Sequence, residues 1–160
     1  MNRVGLGFDA HPFGPGRLLR LGGVTIPHPL GLRGHSDGDA VLHALADALL
    51  GAAGQGSMGE HFPDSDPAWK GADSAVFVER ARDFLVERGL QIVNIDCLVI
   101  AEAPKIAPFA AEIRARLAQL LRTPPEVIGI RGTSTNGLGF AGRNEGLAAM
   151  VVVLLETAKS

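Results

Sequence analysis

Asp9 and His11 stand two residues apart, and a third metal-type ligand, His43, follows further along the chain. In extended backbone, residues two apart point the same way, so Asp9 and His11 can converge on one ion. His43 lies within Ala40-Val41-Leu42-His43-Ala44-Leu45-Ala46, so it faces either a core or a site. Two imidazoles and one carboxylate leave a fourth position open, the pattern of a catalytic Zn²⁺ and not of a closed structural one. The same groups suit Fe²⁺, but oxygenases of that kind need a barrel that 160 α/β residues do not supply. An Asp-x-His pair is common by chance, and a helix histidine is ordinarily a satisfied core group. On these residues alone both readings stand.

Three further segments carry phosphate-binding chemistry. His35-Ser36-Asp37-Gly38-Asp39 precedes the helix that holds His43. Free N–H groups at a helix N-terminus bind phosphate oxygens, while ordinary capping, with Ser36 as N-cap and Asp39 three residues on, explains the same residues. Arg131 to Arg143 contain Thr133-Ser134-Thr135, four glycines and two arginines. Glycines let backbone approach a diphosphate, hydroxyls donate, and Arg143 supplies charge; a plain glycine-rich connection is the alternative. Ala101-Glu102-Ala103-Pro104-Lys105-Ile106-Ala107 is either a flat slot for a base or a strand-to-helix turn. Cys97, inside the apolar run Ile95–Ile100, reads as a buried strand thiol and not a nucleophile.

The elements that must position these groups follow from pattern and punctuation. Val4–Phe8 is a predicted strand. Arg17–Leu21 and Val24–Ile26 flank Gly22-Gly23, a hairpin signal. A helix runs from Ser36–Asp39 to about Leu50 and stops at Gly51; a second covers Ala72–Arg88, with Gly89 at its end. Leu90–Ala101 is a strand, Pro108–Leu121 a helix, and Val127–Gly132 and Leu147–Leu155 are strands. The expected fold is α/β (α+β): one two-layer domain over residues 1–160, with a mixed four-stranded sheet, helices on one face and a small N-terminal hairpin. Gly51–Gly71 shows no period but holds Phe62, Trp69, Asp64 and Asp66, so an ordered functional loop is expected there. Ala148–Leu155 is apolar on both faces. Helices cover only one, so neighbouring subunits are expected to cover the other.

Composition removes several classes. Apolar residues make up 46% and charged residues 20%, which excludes disorder. Net charge is −2, from 15 basic and 17 acidic residues, so no basic excess is available for nucleic acid. One cysteine cannot form an internal disulfide. The longest apolar run, Leu147–Leu155, is far short of the about twenty residues a membrane helix needs, and Asp9 and His11 interrupt any secretory signal. No membrane partner and a cytoplasmic location are expected.

Taken in order, the motifs resemble the 2-C-methyl-D-erythritol 2,4-cyclodiphosphate synthase family over essentially the whole chain. They are Gly7-Phe8-Asp9-Ala10-His11, His35–Asp39 with His43, Phe62-Pro63-Asp64-Ser65-Asp66, Gly71-Ala72-Asp73-Ser74, Ala103-Pro104-Lys105, and Leu138-Gly139-Phe140 through Arg143. The resemblance implies a homotrimer with active sites at subunit interfaces. It also implies Zn²⁺ on Asp9, His11 and His43, and Mg²⁺ bridging the substrate diphosphate. The implied reaction converts 4-diphosphocytidyl-2-C-methyl-D-erythritol 2-phosphate to the cyclic diphosphate and CMP. The substrate's own phosphate attacks, so no general base is required.

By position, His35 and Ser134 match the transition-state stabilisers. Ala101, Glu102, Ala103, Pro104, Lys105, Ile106 and Ala107 match the cytidine slot, and Phe62, Asp64 and Asp66 the segment that holds the methylerythritol hydroxyls. The implied substrate contacts also include Asp9, Ala10, His11, Ser36, Ser57, Met58, Gly59, Pro63, Ser65, Thr133, Thr135, Asn136, Phe140 and Arg143. Asn136 and Ser57 stand where the family usually or often has an acid, and Ser134 where it has Thr more often. Asn136 keeps an oxygen but loses the charge, so Mg²⁺ is expected to rest mostly on the substrate phosphates. The competing classes are a non-catalytic trimeric nucleotide sensor and a metal-dependent phosphohydrolase.

Overall fold

The computed structural model describes residues 1–158. Its strands are β1 (Asn2–Gly14), β2 (Leu19–Leu21), β3 (Val24–Ile26), β4 (Gly31–Leu32), β5 (Leu90–Ile100), β6 (Ile128–Thr133) and β7 (Gly146–Thr157). Its α-helices are α1 (Ala40–Ala53), α2 (Met58–His61), α3 (Ala75–Glu87), α4 (Ala110–Leu121) and α5 (Gly139–Gly142). The main sheet has the order β4-β1-β7-β5-β6, and β2 and β3 form a separate hairpin. Among the described residues only β5 and β6 pair in parallel, through the crossover that contains α4. The sheet therefore has five strands and not the expected four. The extra one is the two-residue β4, which pairs Phe13 with Leu32 and is too short to leave a pattern.

The first strand is also longer than its apolar run suggests. Asp9 and His11 lie inside β1, opposite Ala149 and Leu147 of β7. Pairing with β7 holds the strand extended after its hydrophobic residues have ended. On the helix-covered face, Gly5 and Gly7 have a specific function. A Cβ on Gly5 would lie 2.0 Å from the Ala48 carbonyl oxygen, and one on Gly7 1.8 Å from that of Ala44. The α1 backbone thus rests directly on β1, and His43 is brought down beside Asp9 and His11.

Leu147, Val151, Val153 and Leu155 of β7, with Ile95 and Val99 of β5, are buried under the helices. Each such side chain contributes roughly 1.5–3 kcal/mol on burial. Cys97 is among them, and burial pushes its thiol up to about 12, which bears out a packing thiol. The opposite face of the sheet is bare. Val4 is 68% exposed, Leu6 60%, Phe8 52% and Val152 41%.

Helix ends differ in detail from expectation. The N-cap of α1 is Asp39 and not Ser36; its Oδ1 accepts from Leu42 N at 3.1 Å. The helix runs through Gly51, because Ala52 and Ala53 are still buried, and ends at Gly54 with φ 71°. Helix α3 begins at Ala75 and not Ala72, and α4 is preceded by a 3₁₀ turn over Ala107–Phe109. No helix among the described residues is long and apolar enough to cross a membrane.

Candidate active site

Strand β1 and helix α1 bring the three expected ligands together. Asp9 Oδ2 lies 2.6 Å from His11 Nε2 and 3.0 Å from His43 Nδ1, and the two ring nitrogens are 3.2 Å apart. Among the described residues this is the one group of three that could hold a metal ion. The outer nitrogens are already engaged. His11 Nδ1 donates to the Arg33 carbonyl at 2.7 Å. His43 Nε2 meets the hydroxyls of Ser74 at 2.8 Å and Ser36 at 2.9 Å. With the outer nitrogens held in this way, the inner ones, His11 Nε2 and His43 Nδ1, are turned toward Asp9 and each other, the orientation in which ligating histidines are held. Burial alone would raise the Asp9 carboxyl, but hydrogen bonds from His11 and His43 outweigh it and keep it below its ordinary value. Burial disfavours the His11 cation, and Asp9 more than offsets this, so His11 is raised. One carboxylate and two imidazoles with tethered outer faces fit a divalent cation.

The trio lines a cavity of about 140 Å³ with His35, Ser36, Met58, Phe62, Asp64, Trp69 and Phe77. His35 Nε2 is buried there without a partner, a group that a ligand oxygen would satisfy. Three guanidinium contacts from Arg17, to the carbonyls of Leu32, Gly34 and Ser36, fix the segment that carries His35. The 51–71 segment is ordered, as expected. Phe62 packs with its ring centre 4.8 Å from that of Phe77, tilted, and 5.1 Å from that of Trp69, edge-on, and Asp47 accepts from Met58 N at 2.8 Å. Ser57 and Asp66 act locally as caps, of α2 and of the turn at Pro67–Trp69. Gly59, Pro63 and Ser65 are exposed outside the cavity lining. Ala10 points to the other sheet face and, with Phe140 and Glu145, lines a third cavity of about 320 Å³.

A second cavity, about 220 Å³, is lined by Ala101, Pro104, Lys105, Ile106 and Ala107 facing Gly132, Thr133 and Ser134. Glu102 and Ala103 do not line it. Glu102 instead straps the two segments together, its Oε1 accepting from Thr135 N at 3.2 Å and Gly137 N at 3.1 Å. Asn136 has φ 54° and exchanges hydrogen bonds with the Ser134 side chain. That left-handed conformation suits Asn far better than Glu. Arg143 lies outside the slot, paired with Glu145 at 3.0 Å. Both cavities sit at one end of the sheet, where His11 pairs with Leu147 and Ile100 with Ala148, but no residue lines both. A larger groove, about 750 Å³, lies between the ends of α3 and α4 and holds none of these groups.

Several residues had no role from sequence. Ser74 and Asp37 lie behind His43, and Trp69 and Phe77 wall the cavity. Trp69 stands out in the sequence as a lone indole in an unpatterned segment, and Asp37 and Ser74 fall within the motifs above without a role of their own.

Comparison with known proteins agrees with this geometry. The YgbB family model matches residues 2–156. A 2-C-methyl-D-erythritol 2,4-cyclodiphosphate synthase of Xylella fastidiosa is 54% identical over 153 residues, 96% of this chain and 87% of the relative. One from Bacillus cereus is 51% identical over 156 residues, 98% and 99%. Among solved structures, the bifunctional IspDF of Campylobacter jejuni superposes with a TM-score of 0.94 at 41% identity. That match takes 98% of this chain and 42% of the bifunctional one, so this chain spans less than half of that protein. An IspF complex with CDP from Plasmodium falciparum gives 0.87 at 30% identity, over 99% and 97%. The chain belongs to the YgbB family.

Proposed function

We propose that this chain converts 4-diphosphocytidyl-2-C-methyl-D-erythritol 2-phosphate to 2-C-methyl-D-erythritol 2,4-cyclodiphosphate and CMP, a lyase step in isoprenoid biosynthesis. The observation that carries the reading is the Asp9–His11–His43 trio, assembled within 3.2 Å in a chain 54% identical to an enzyme of that name. An oxygen of the 2-phosphate forms a bond to the β-phosphorus. The bond from that phosphorus to the bridging oxygen breaks, and CMP leaves with the electron pair. The nucleophile is already anionic near neutral pH, so the protein positions and neutralises charge without supplying a base. Asp9, His11 and His43 would hold a Zn²⁺, which would supply positive charge at the phosphate under attack, and the substrate diphosphate would carry a Mg²⁺.

The other functions fall to this chain's residues. His35, with its buried unpartnered nitrogen, and Ser134, at the slot, donate to phosphate oxygens. Phe62 and Asp64 border the methylerythritol portion beside the trio. The Ala101–Ala107 slot takes the cytosine, a role consistent with the CDP complex of the Plasmodium relative. The bare row Val4, Leu6, Phe8 and Val152 suits burial around a threefold axis in a homotrimer. There the slot of one subunit meets the trio of the next. Residues 1–160 then form one catalytic domain, acting in the cytoplasm.

The test is turnover of the cytidylyl substrate by purified protein, with products identified by mass spectrometry. CMP and the cyclic diphosphate are expected. A linear phosphate product would favour a phosphohydrolase, and binding without turnover a nucleotide sensor.

A further inference from the structure

The two histidines of the trio are held from behind by different means. His11 donates to a backbone carbonyl, that of Arg33. Behind His43 lie only side chains, and their protons can be assigned. Ser74 Oγ has one proton. Asp37 Oδ1 lies in close hydrogen-bond contact with it, and a carboxylate accepts only. The Ser74 proton therefore points at Asp37, and toward His43 Nε2, 2.8 Å away, Ser74 Oγ can only accept. Nε2 therefore carries hydrogen, and Nδ1 is the ring atom turned to Asp9 Oδ2 at 3.0 Å and His11 Nε2 at 3.2 Å, where its lone pair would meet a bound cation. Were Ser74 turned to donate to Nε2, the ring would carry its proton on Nδ1, in the ligand position.

Asp37 itself is firmly anchored. It accepts from Ser74 N at 3.1 Å and Asp39 N at 3.1 Å, and Arg20 Nε approaches to 3.9 Å. Ser36 Oγ touches the same His43 nitrogen at 2.9 Å, but no carboxylate commits its proton; its other contacts are Ser74 Oγ at 3.3 Å and Gly38 N at 3.4 Å.

We propose that Asp37 and Ser74 are positioning residues for the metal centre, a two-residue relay that fixes the His43 ring with Nδ1 presented as the ligand atom. The inference rests on the metal reading above. It also explains why the start of α3, where Ser74 is the N-cap, is tied to the segment that leads into α1. A displaced α3 would release the ligand.

The experiment compares zinc affinity, by chelator competition, in wild type, Ser74→Ala, Ser36→Ala and Asp37→Asn, with circular dichroism as the control for folding. Ser74→Ala should weaken zinc binding about 10- to 100-fold. Asp37→Asn should weaken it at least about threefold, while Ser36→Ala stays within about threefold. Equal losses in the two serine variants, or none in Ser74→Ala, would overturn the relay but not the metal site. A wild type that binds no zinc would overturn the metal reading instead. Should Ser74→Ala and Asp37→Asn fail to fold, the imidazole proton signal of zinc-loaded wild type decides. A slowly exchanging, hydrogen-bonded His43 Nε2–H is expected, and a freely exchanging one contradicts the relay.

Discussion

The two ends of the proposed site are built in opposite ways. At the metal end, three side chains from β1 and α1 meet within 3.2 Å, half-buried or buried, each histidine tethered behind. At the nucleotide end, the slot is lined by small residues and backbone, Thr133 and Lys105 are exposed, and the one tight fixture is the Glu102 strap. The first end is complete in one chain. The second is an open slot between two segments, and Arg143, expected to supply charge there, lies outside it, exposed against Glu145. The contrast teaches that a pre-organised charge centre can be made by local packing, whereas a pocket for a large anionic substrate needs a second surface. The bare apolar row on β1 and β7 is where a neighbouring subunit would supply it.

The contrast is broken most severely at the metal. His43→Ala should abolish zinc binding and lower CMP release by about 10³-fold or more, ~4 kcal/mol of barrier, with the fold retained. Full zinc content in that variant would remove the trio from the account. Next in size is Leu6→Asp on the exposed row. If that row is the subunit interface, a buried charge splits the assembly: sedimentation falls from three chains to one and turnover drops about 100-fold, while zinc stays bound. If the chain is monomeric the change is a surface substitution, worth within about 0.5 kcal/mol.

Gly7→Ala attacks the metal end through packing. Its Cβ would meet the Ala44 carbonyl oxygen, a backbone atom that cannot rotate away. A loss of about 3 kcal/mol in unfolding free energy is expected, with weakened zinc binding as α1 lifts from β1; an unchanged denaturation midpoint would contradict the close approach. The smallest effect sharpens the nucleotide end. Asn136→Asp keeps a residue type that tolerates φ 54° and adds a hard anionic oxygen. It should lower the Mg²⁺ concentration for half-maximal rate about fivefold, ~1 kcal/mol, without altering zinc content. Superimposable Mg²⁺ curves would show that the missing acid has no consequence.

Legibility in the sequence followed the same divide. The period of two along a strand placed Asp9 and His11 on one face, even though the strand's true end at Gly14 depends on pairing with β7, which no local pattern records. Apolar residues on both faces of the last strand announced an uncovered surface, and Val152 is part of it. The two-residue β4 falls below any periodic signal. Gly51 misled because burial of Ala52 and Ala53 outweighs the cost of glycine within a helix. Asp37 and Ser74 were motif residues without a role, since their meaning lies in a contact between segments distant in the chain. The slot could be seen as small residues near hydroxyls, but its assignment to cytidine came from resemblance alone, because backbone-lined sites leave little side-chain signature.

In the proposed assembly, a working site joins the metal trio of one subunit to the slot of another. Mixing two inactive variants tests it directly: His43→Ala, which lacks the metal, and a slot variant, Ser134→Ala combined with Lys105→Ala. The two are unfolded together, refolded at equal amounts and assayed for CMP release. If sites are shared between subunits, half the trios and half the slots are intact, and about one site in four combines both; activity should return to roughly a quarter of wild type. Mixed trimers that stay as inactive as their parents would place both halves of the site in a single chain and contradict the account.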